Sequence, residues 1–372
     1  MSSFTAVFMR NPIRVGVVGV DYGSRVHIPS LLSEDNYEVV SLCSRNLSKL
    51  KATAAKFGIS KISTNYQDFL EDPSIDMVVL ATPAHLHYPM AKNALLAQKH
   101  VLCEKPFTVN LNNAKELRDL AQISGVTAML GHEFRYSSGR AYTKELIATG
   151  YLGNLRVARG WLQSGSRIGR NRTKYNPESD DTNLGGGLLW SQGSHYIDCL
   201  MHWFGEISSV SGHVATHIPE RIDQEGNTVP IDADDAFEVT LFFRSGGIAH
   251  LSMSYVSKFG QGGGFELYGD KGTIFTCQDS NTPNPPSHGS LLAGKITDDA
   301  LKNIIIPEEF NPIKDERDMR IPPTRMLLRD FLQGIENGYS PSPNFNDGYK
   351  LQIVLHSILE SSERKQAVII GD

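Results

Sequence analysis

The sequence predicts an α/β protein with two domains: a parallel sheet wound with helices, then an α/β unit on a mostly antiparallel sheet. Three observations carry this. From residue 13 to about 130, short apolar runs alternate with helix-patterned segments, the pattern of a parallel sheet covered on both faces. The first of those runs ends in a glycine turn. Beyond about residue 131 the strand-like runs alternate apolar and polar, as in Ala236-Phe237-Glu238-Val239-Thr240-Leu241, so one sheet face meets water.

The elements follow in order. Residues 13–18 form the first strand and 38–43 the second. A helix over 47–57 is stopped by Gly58, because a glycine just past the last turn accepts a left-handed conformation. Residues 76–81 are the third strand, ended by Thr82-Pro83, and 88–98 form a helix with Ala91, Ala94 and Leu95 on one stripe. Residues 100–103 are the fourth strand, 110–124 a helix stopped by Gly125, and 127–130 the fifth strand. In the second half, strands are expected over 155–162, 208–217, 235–243, 248–255, 264–269 and 272–276, with hairpin turns at Gly246-Gly247 and Asp270-Lys271-Gly272. Helices are expected over 140–149 and over 195–203, the latter ending near Gly205. The segment 279–312, rich in proline, asparagine and serine, reads as a long surface excursion, and 325–336 and 348–361 as amphipathic closing helices. The domains implied are 1–131, 132–345 and a closing C-terminal segment 346–372.

Bulk properties narrow the function. A chain of 372 residues is longer than one hydrophobic core prefers. A net charge of -5 argues against a nucleic-acid surface, which would be basic. Cys43, Cys103, Cys199 and Cys277 are far apart and form no ligand-spaced pair. They read as small buried hydrophobes of a reducing compartment, which points to the cytoplasm. No basic-then-apolar leader is evident in the first dozen residues, and no run reaches the about 18 apolar residues of a membrane span.

The first strand leads through Gly19 into Val20-Asp21-Tyr22-Gly23-Ser24. A strand, a tight glycine turn and a helix present backbone N–H groups to a pyrophosphate, so Gly19, Asp21, Tyr22, Gly23 and Ser24 are cofactor-binding candidates. Asp21 is unfavourable beside a phosphate unless it points away. At the end of the second strand stand Ser44 and Arg45 where an acidic residue would hold the ribose hydroxyls of NAD. A hydroxyl and a forked guanidinium suit a 2'-phosphate, so NADP is favoured, with NAD possible.

Further motifs follow in a fixed order: His27, Ala81-Thr82-Pro83 with His87, Glu104-Lys105-Pro106, Gly185-Gly186-Gly187, Gly193 with His195 and Asp198, and Asp347-Gly348 with Ser361. In this order and spacing the chain resembles the Gfo/Idh/MocA oxidoreductases, the glucose-fructose oxidoreductase and inositol dehydrogenase superfamily, over nearly its whole length. The resemblance implies an N-terminal Rossmann domain, a C-terminal domain on a large, mostly antiparallel sheet, and a homodimer or homotetramer formed through that sheet. It also implies nicotinamide in the interdomain cleft and a sugar, polyol, sugar acid or related cyclic substrate.

On this likeness Lys105 contacts substrate oxygen and nicotinamide ribose, with Glu104 orienting it, and His195 is the proton acceptor or donor. Thr82, Pro83 and His87 join the cofactor set. Arg135 and Tyr136, just after the fifth strand, are expected beside the cofactor amide or in the pocket, or else in interdomain packing; Gln192 is expected beside substrate hydroxyls, and Asp198 either there, orienting His195, or in an internal salt bridge. Where the family often has aspartate four residues before the histidine, this chain has Ser191, so His195 lacks the pKa elevation a carboxylate gives. His195, Asp198 and His202 share one helical side, but nothing further converges there and no metal is expected. The basic segment 167–175, which includes Arg170, would either steer an anionic group on the substrate or form a solvated loop or subunit contact balanced by Glu178, Asp180 and Asp181. Two rival readings are a cofactor-assisted glycosidase and a non-catalytic dinucleotide sensor.

Overall fold

Six strands hydrogen-bond in parallel to make the first sheet: β1 (Ile13–Val18), β2 (Tyr37–Cys43), β3 (Lys61–Ser63), β4 (Met77–Leu80), β5 (His100–Cys103) and β6 (Ala128–Leu130). Their spatial order is β3-β2-β1-β4-β5-β6, the doubly wound order whose reversal between β1 and β4 opens a ligand crevice at the strand ends. The architecture comes from a computed structural model, which describes residues 11–168, 174–277 and 291–371. Strand β3 was not expected. Its three residues are exposed or half-buried, so no apolar run announces it.

The helices of this half are α1 (Ile28–Leu31), α2 (Leu47–Phe57), α3 (Tyr66–Leu70), α4 (His87–Leu96) and α5 (Leu111–Ser124). Local chemistry sets their ends. Asn46 accepts the Lys49 N–H to start α2, and Gly58 ends it at φ +69°. Asn110 accepts the Asn112 and Asn113 N–H groups to start α5, and Gly125 ends it at φ +72°. A π-helical turn, Gly23–His27, precedes α1.

The second half holds α6 (Ser138–Ala148), β7 (Leu155–Gln163), α7 (Pro177–Asp180), α8 (Ser194–Phe204), β8 (Ile207–Ala215), β9 (Glu220–Ile222), β10 (Thr228–Pro230), β11 (Ala236–Phe243), β12 (Ile248–Ser254), β13 (Gly262–Gly269), β14 (Gly272–Cys277), β15 (Leu291–Lys295), β16 (Lys302–Asn303), α9 (Ile321–Asn337), α10 (Phe345–Arg364) and β17 (Val368–Ile369). Among the described residues nine of these strands form one mixed sheet, ordered β16-β15-β14-β13-β7-β12-β11-β8-β17, in which only β12 and β7 run parallel. Gly246 and Gly247 make the β11–β12 turn with positive φ at both positions. The expected surface excursion over 279–312 is in part sheet. Leu291 and Ala293 of β15 are each 1 % exposed, and pairing with β14 overrides the polar composition around them.

The closing helices tie the halves together. Helix α10 places Leu351, Val354, Leu355 and Ile358 in the core of the large sheet. Helix α9 places Leu327, Leu328 and Phe331 against Val15, Val17 and Met129 of the first sheet, although its position in the chain put it with the second domain. Arg325 and Glu34 add an ion pair at 2.7 Å across that contact. Among the described residues no helix is long and apolar enough to cross a membrane.

Candidate active site

The first turn is shaped around one missing side chain. Gly19 has φ +94°, and a Cβ there would lie 2.2 Å from the Ala81 carbonyl oxygen. Only glycine fits, so Gly19→Ala is expected to cost at least about 1–3 kcal/mol in backbone strain. It should also weaken dinucleotide binding. Thermal unfolding and cofactor titration would check both, and an unchanged melting temperature would refute the assignment. Asp21 is no obstacle to an anion: it lies outward, with its carboxylate 2.7 Å from the Lys49 ammonium. Ser24 donates to the Asp21 carbonyl, and Gly23 opens the π-helical turn. At the end of β2, Ser44 Oγ accepts the Asn46 N–H, while Arg45 is exposed and makes no hydrogen bond or ion pair among the described residues. This turn, running straight into helix at the crevice between β1 and β4, fits a dinucleotide pyrophosphate.

His87 acts differently from expectation. Its ring is buried, with Nδ1 2.8 Å from the Pro106 carbonyl and Nε2 2.8 Å from the Thr82 carbonyl. Both nitrogens are occupied, so His87 braces the loops after β4 and β5 rather than touching a ligand. Thr82 itself lines the cleft, and Pro83 caps the short turn leading to α4.

Lys105 emerges from the end of β5 and crosses to the second domain, where its Nζ donates to the Ser191 carbonyl at 2.9 Å. Burial pushes its pKa down and Arg320 adds to this, against the pull of Glu104 and Glu133. Glu104 does not clasp that ammonium. Its Oε1 lies 2.8 Å from His27 Nε2, and its Oε2 accepts the Lys105 backbone N–H. Burial raises the Glu104 carboxyl, but the His27 hydrogen bond and the His27 and Lys105 charges together hold it below the usual range.

His195 lines the same cleft, stacked on Phe134 with centroids 3.7 Å apart and edge-on to His132 at 5.5 Å. Burial first, then Lys105, His132 and Arg140, push its pKa well below the ordinary value, which makes it a neutral imidazole near pH 7. Ser191 turns its hydroxyl back to the Gly187 carbonyl and places its own carbonyl on Lys105. A π-helical turn, Leu189–Gly193, carries Ser191 and Gln192 into α8, so π turns flank the cleft on both sides.

The cleft holds about 210 Å³. The expected residues that line it are Tyr22, Thr82, Glu104, Lys105, Gln192 and His195; Glu133, Phe134 and Arg320 also line it, unforeseen. Tyr22 donates to Glu133 Oε1 at 3.2 Å. Burial and the Glu104 charge push the Glu133 carboxyl up to about 7, with Lys105 opposing. Among the described residues, seven side chains carry buried nitrogen or oxygen atoms without a hydrogen-bond partner; Glu133, Gln192 and His195 line the cleft, His27 and His132 touch its lining residues, and His85 and Arg140 complete the set. Such atoms are rare in folded proteins, and their clustering here marks a place built for a ligand.

Three expected residues lie elsewhere. Asp198 and Arg135 form a buried bidentate pair at 2.6 and 2.7 Å, and Arg135 also donates to Ser342 Oγ. They border a separate cavity of about 240 Å³, so neither reaches the Lys105 cleft. Tyr136 donates to Asp330 at 2.8 Å and also faces away. Residues 133–136 form a 3-10 turn. Glu133 and Phe134 line the cleft, whereas Arg135 and Tyr136 are drawn off by Asp198 and Asp330. Arg170 lies outside the described residues. Arg167, earlier in that basic segment, is bound by Asp180 and the Ser179 carbonyl, which leaves it no free fork for a substrate anion.

Comparison with known proteins agrees with this geometry. The family model of oxidoreductases with an NAD-binding Rossmann fold (Gfo/Idh/MocA) matches residues 13–132. The model of the Gfo/Idh/MocA C-terminal domain matches residues 141–275. An uncharacterized oxidoreductase of Synechocystis is 29% identical over 97% of this chain and 96% of its own length. Levoglucosan dehydrogenase of Pseudarthrobacter phenanthrenivorans is 26% identical over 86% of each chain. A solved structure of levoglucosan dehydrogenase in complex with NADH and L-sorbose superposes with a TM-score of 0.87 at 22% identity, covering 96% of this chain and 99% of that one.

Proposed function

This chain belongs to the Gfo/Idh/MocA oxidoreductase family, and on that premise we propose that it transfers hydride between NADP and a secondary alcohol or ketone of a sugar, polyol or related cyclic compound. The observation that carries the reading is Lys105, an ammonium of lowered pKa at the end of β5, in one cleft with neutral His195. When bound, the nicotinamide supplies or accepts the hydride. Lys105 polarises the substrate oxygen and holds or takes its proton, and His195 exchanges that proton with the medium. Gly19, Ser44, Arg45, Thr82 and Pro83 hold the cofactor. Levoglucosan dehydrogenase, similar over most of the chain, supports a sugar-like substrate.

The preference for NADP rests on Ser44 and the unpaired Arg45 fork at the end of β2. Fluorescence titration should give tighter NADPH than NADH binding, and Arg45→Ala should narrow the difference by about tenfold, the loss of one charge-assisted hydrogen bond. Equal affinities in the unaltered protein would overturn the selectivity. Assembly as a homodimer or homotetramer through the large sheet is part of the same reading. Phe242 and Tyr268 on its strands are exposed apolar side chains, and light scattering at the monomer mass would refute it.

A further inference from the structure

Glu133 has no task in the hydride-transfer reading, yet it stands on the wall of the Lys105 cleft and is only 4 % exposed. Tyr22 holds its Oε1. Its Oε2 is buried with no donor among the described residues. Gln192, from the second domain, lines the same cleft, and its Oε1 also lacks a donor among those residues. A buried acceptor left without a donor keeps its full desolvation cost, so such atoms call for a ligand that brings N–H or O–H groups. A carboxylate brings neither and would lie beside the ionised Glu104 carboxylate. The cations of the cleft do not reverse this. Arg320 is paired with Asp318 and lies over the Tyr22 ring, 5.1 Å from its centroid, and Lys105 is committed to the reacting oxygen.

We propose that Glu133, together with Gln192, reads hydroxyl groups next to the reacting carbon, so that the site selects neutral polyhydroxylated substrates over the corresponding sugar acids. The inference rests on the hydride-transfer reading for which carbon reacts; recognition of the hydroxyl groups is measurable by binding alone. The test is calorimetric titration of the full chain loaded with NADPH, using D-glucose, D-xylose, levoglucosan and myo-inositol against D-gluconate and D-xylonate. Neutral ligands are expected to bind at least about tenfold more tightly than the acids. Glu133→Gln keeps shape and the Tyr22 contact, and is expected to weaken the neutral ligands about tenfold or more while NADPH binding stays unchanged. If that variant is recovered unfolded, Gln192→Leu carries the same test on the second acceptor. Tighter binding of the acids, unchanged sugar affinity in the variant, no sugar binding at all, or a loss confined to NADPH would each overturn the proposal. Sugar binding without turnover would instead overturn the hydride-transfer reading and leave the role of Glu133 standing.

Discussion

Replacing Lys105 by methionine is expected to lower turnover by about 10²–10⁴-fold, the usual worth of a positioned proton donor, while NADPH still binds. Methionine keeps the stem length and removes the ammonium that reaches the Ser191 carbonyl. The effect should be large because the remaining cleft histidine cannot substitute. Burial and neighbouring cations hold His195 well below its ordinary pKa, so it carries little proton near neutrality. The pH profile gives a second signature. Alcohol oxidation needs Lys105 neutral and ketone reduction needs it protonated, so oxidation should rise with pH and reduction should fall. Because burial lowers the Lys105 pKa, both limbs lie below the ordinary lysine range, and both vanish in the variant. Near-wild-type turnover by Lys105→Met would sink the assignment.

Asp198→Ala should have the largest effect on stability. The Arg135 guanidinium is buried against this carboxylate in two hydrogen bonds and reaches Ser342 with its remaining nitrogen. Removing the aspartate takes both of those bonds from a permanent buried charge and leaves it only the longer pairing with Asp347, 3.9 Å from its Nη1, at a cost of up to about 3–5 kcal/mol. Urea unfolding should show a lower midpoint with an unchanged slope. The acid side follows the same logic. Burial raises the Asp198 carboxyl, but Arg135 and His132 outweigh it and hold the pKa below its ordinary value. Its stabilisation is therefore complete above the ordinary carboxylate pKa and is lost as pH falls through the lowered folded value. The variant should lose that limb of the acid unfolding curve. A variant of normal stability that instead fails to bind sugar would restore the substrate role read from the sequence.

The contrast between these two residues shows how far local signals reach. Lys105 was legible because it follows the short apolar run 100–103, and His195 because the order of motifs along the chain resembles the family pattern. Asp198 sits on the same helix as His195, yet its partner comes from 63 residues away. Tyr136 finds Asp330 across 194 residues. No spacing rule links such pairs, so a ligand contact and an internal clasp stayed open for each until the fold chose the clasp. Glu133 was passed over for Arg135 and Tyr136 because only their distant partners, Asp198 and Asp330, take those two side chains away from the cleft.

The sequence by itself determined the doubly wound first half, the alternating strands of the second and the glycine turn at Gly19, while Lys105 and His195 were joined only by the resemblance of the whole motif order. Backbone conformation at glycine and the periods of 2 and 3.6 are local properties, written within about a dozen residues. Tertiary structure alone decided that α9 would join the first sheet's core, that His87 would brace two loops, that Arg135 and Asp198 would neutralise each other, and that Glu133 and Arg320 would line the cleft. Each of those outcomes depends on which distant side chain fills a given volume or satisfies a given buried charge. That pairing is settled by packing and desolvation over the whole fold.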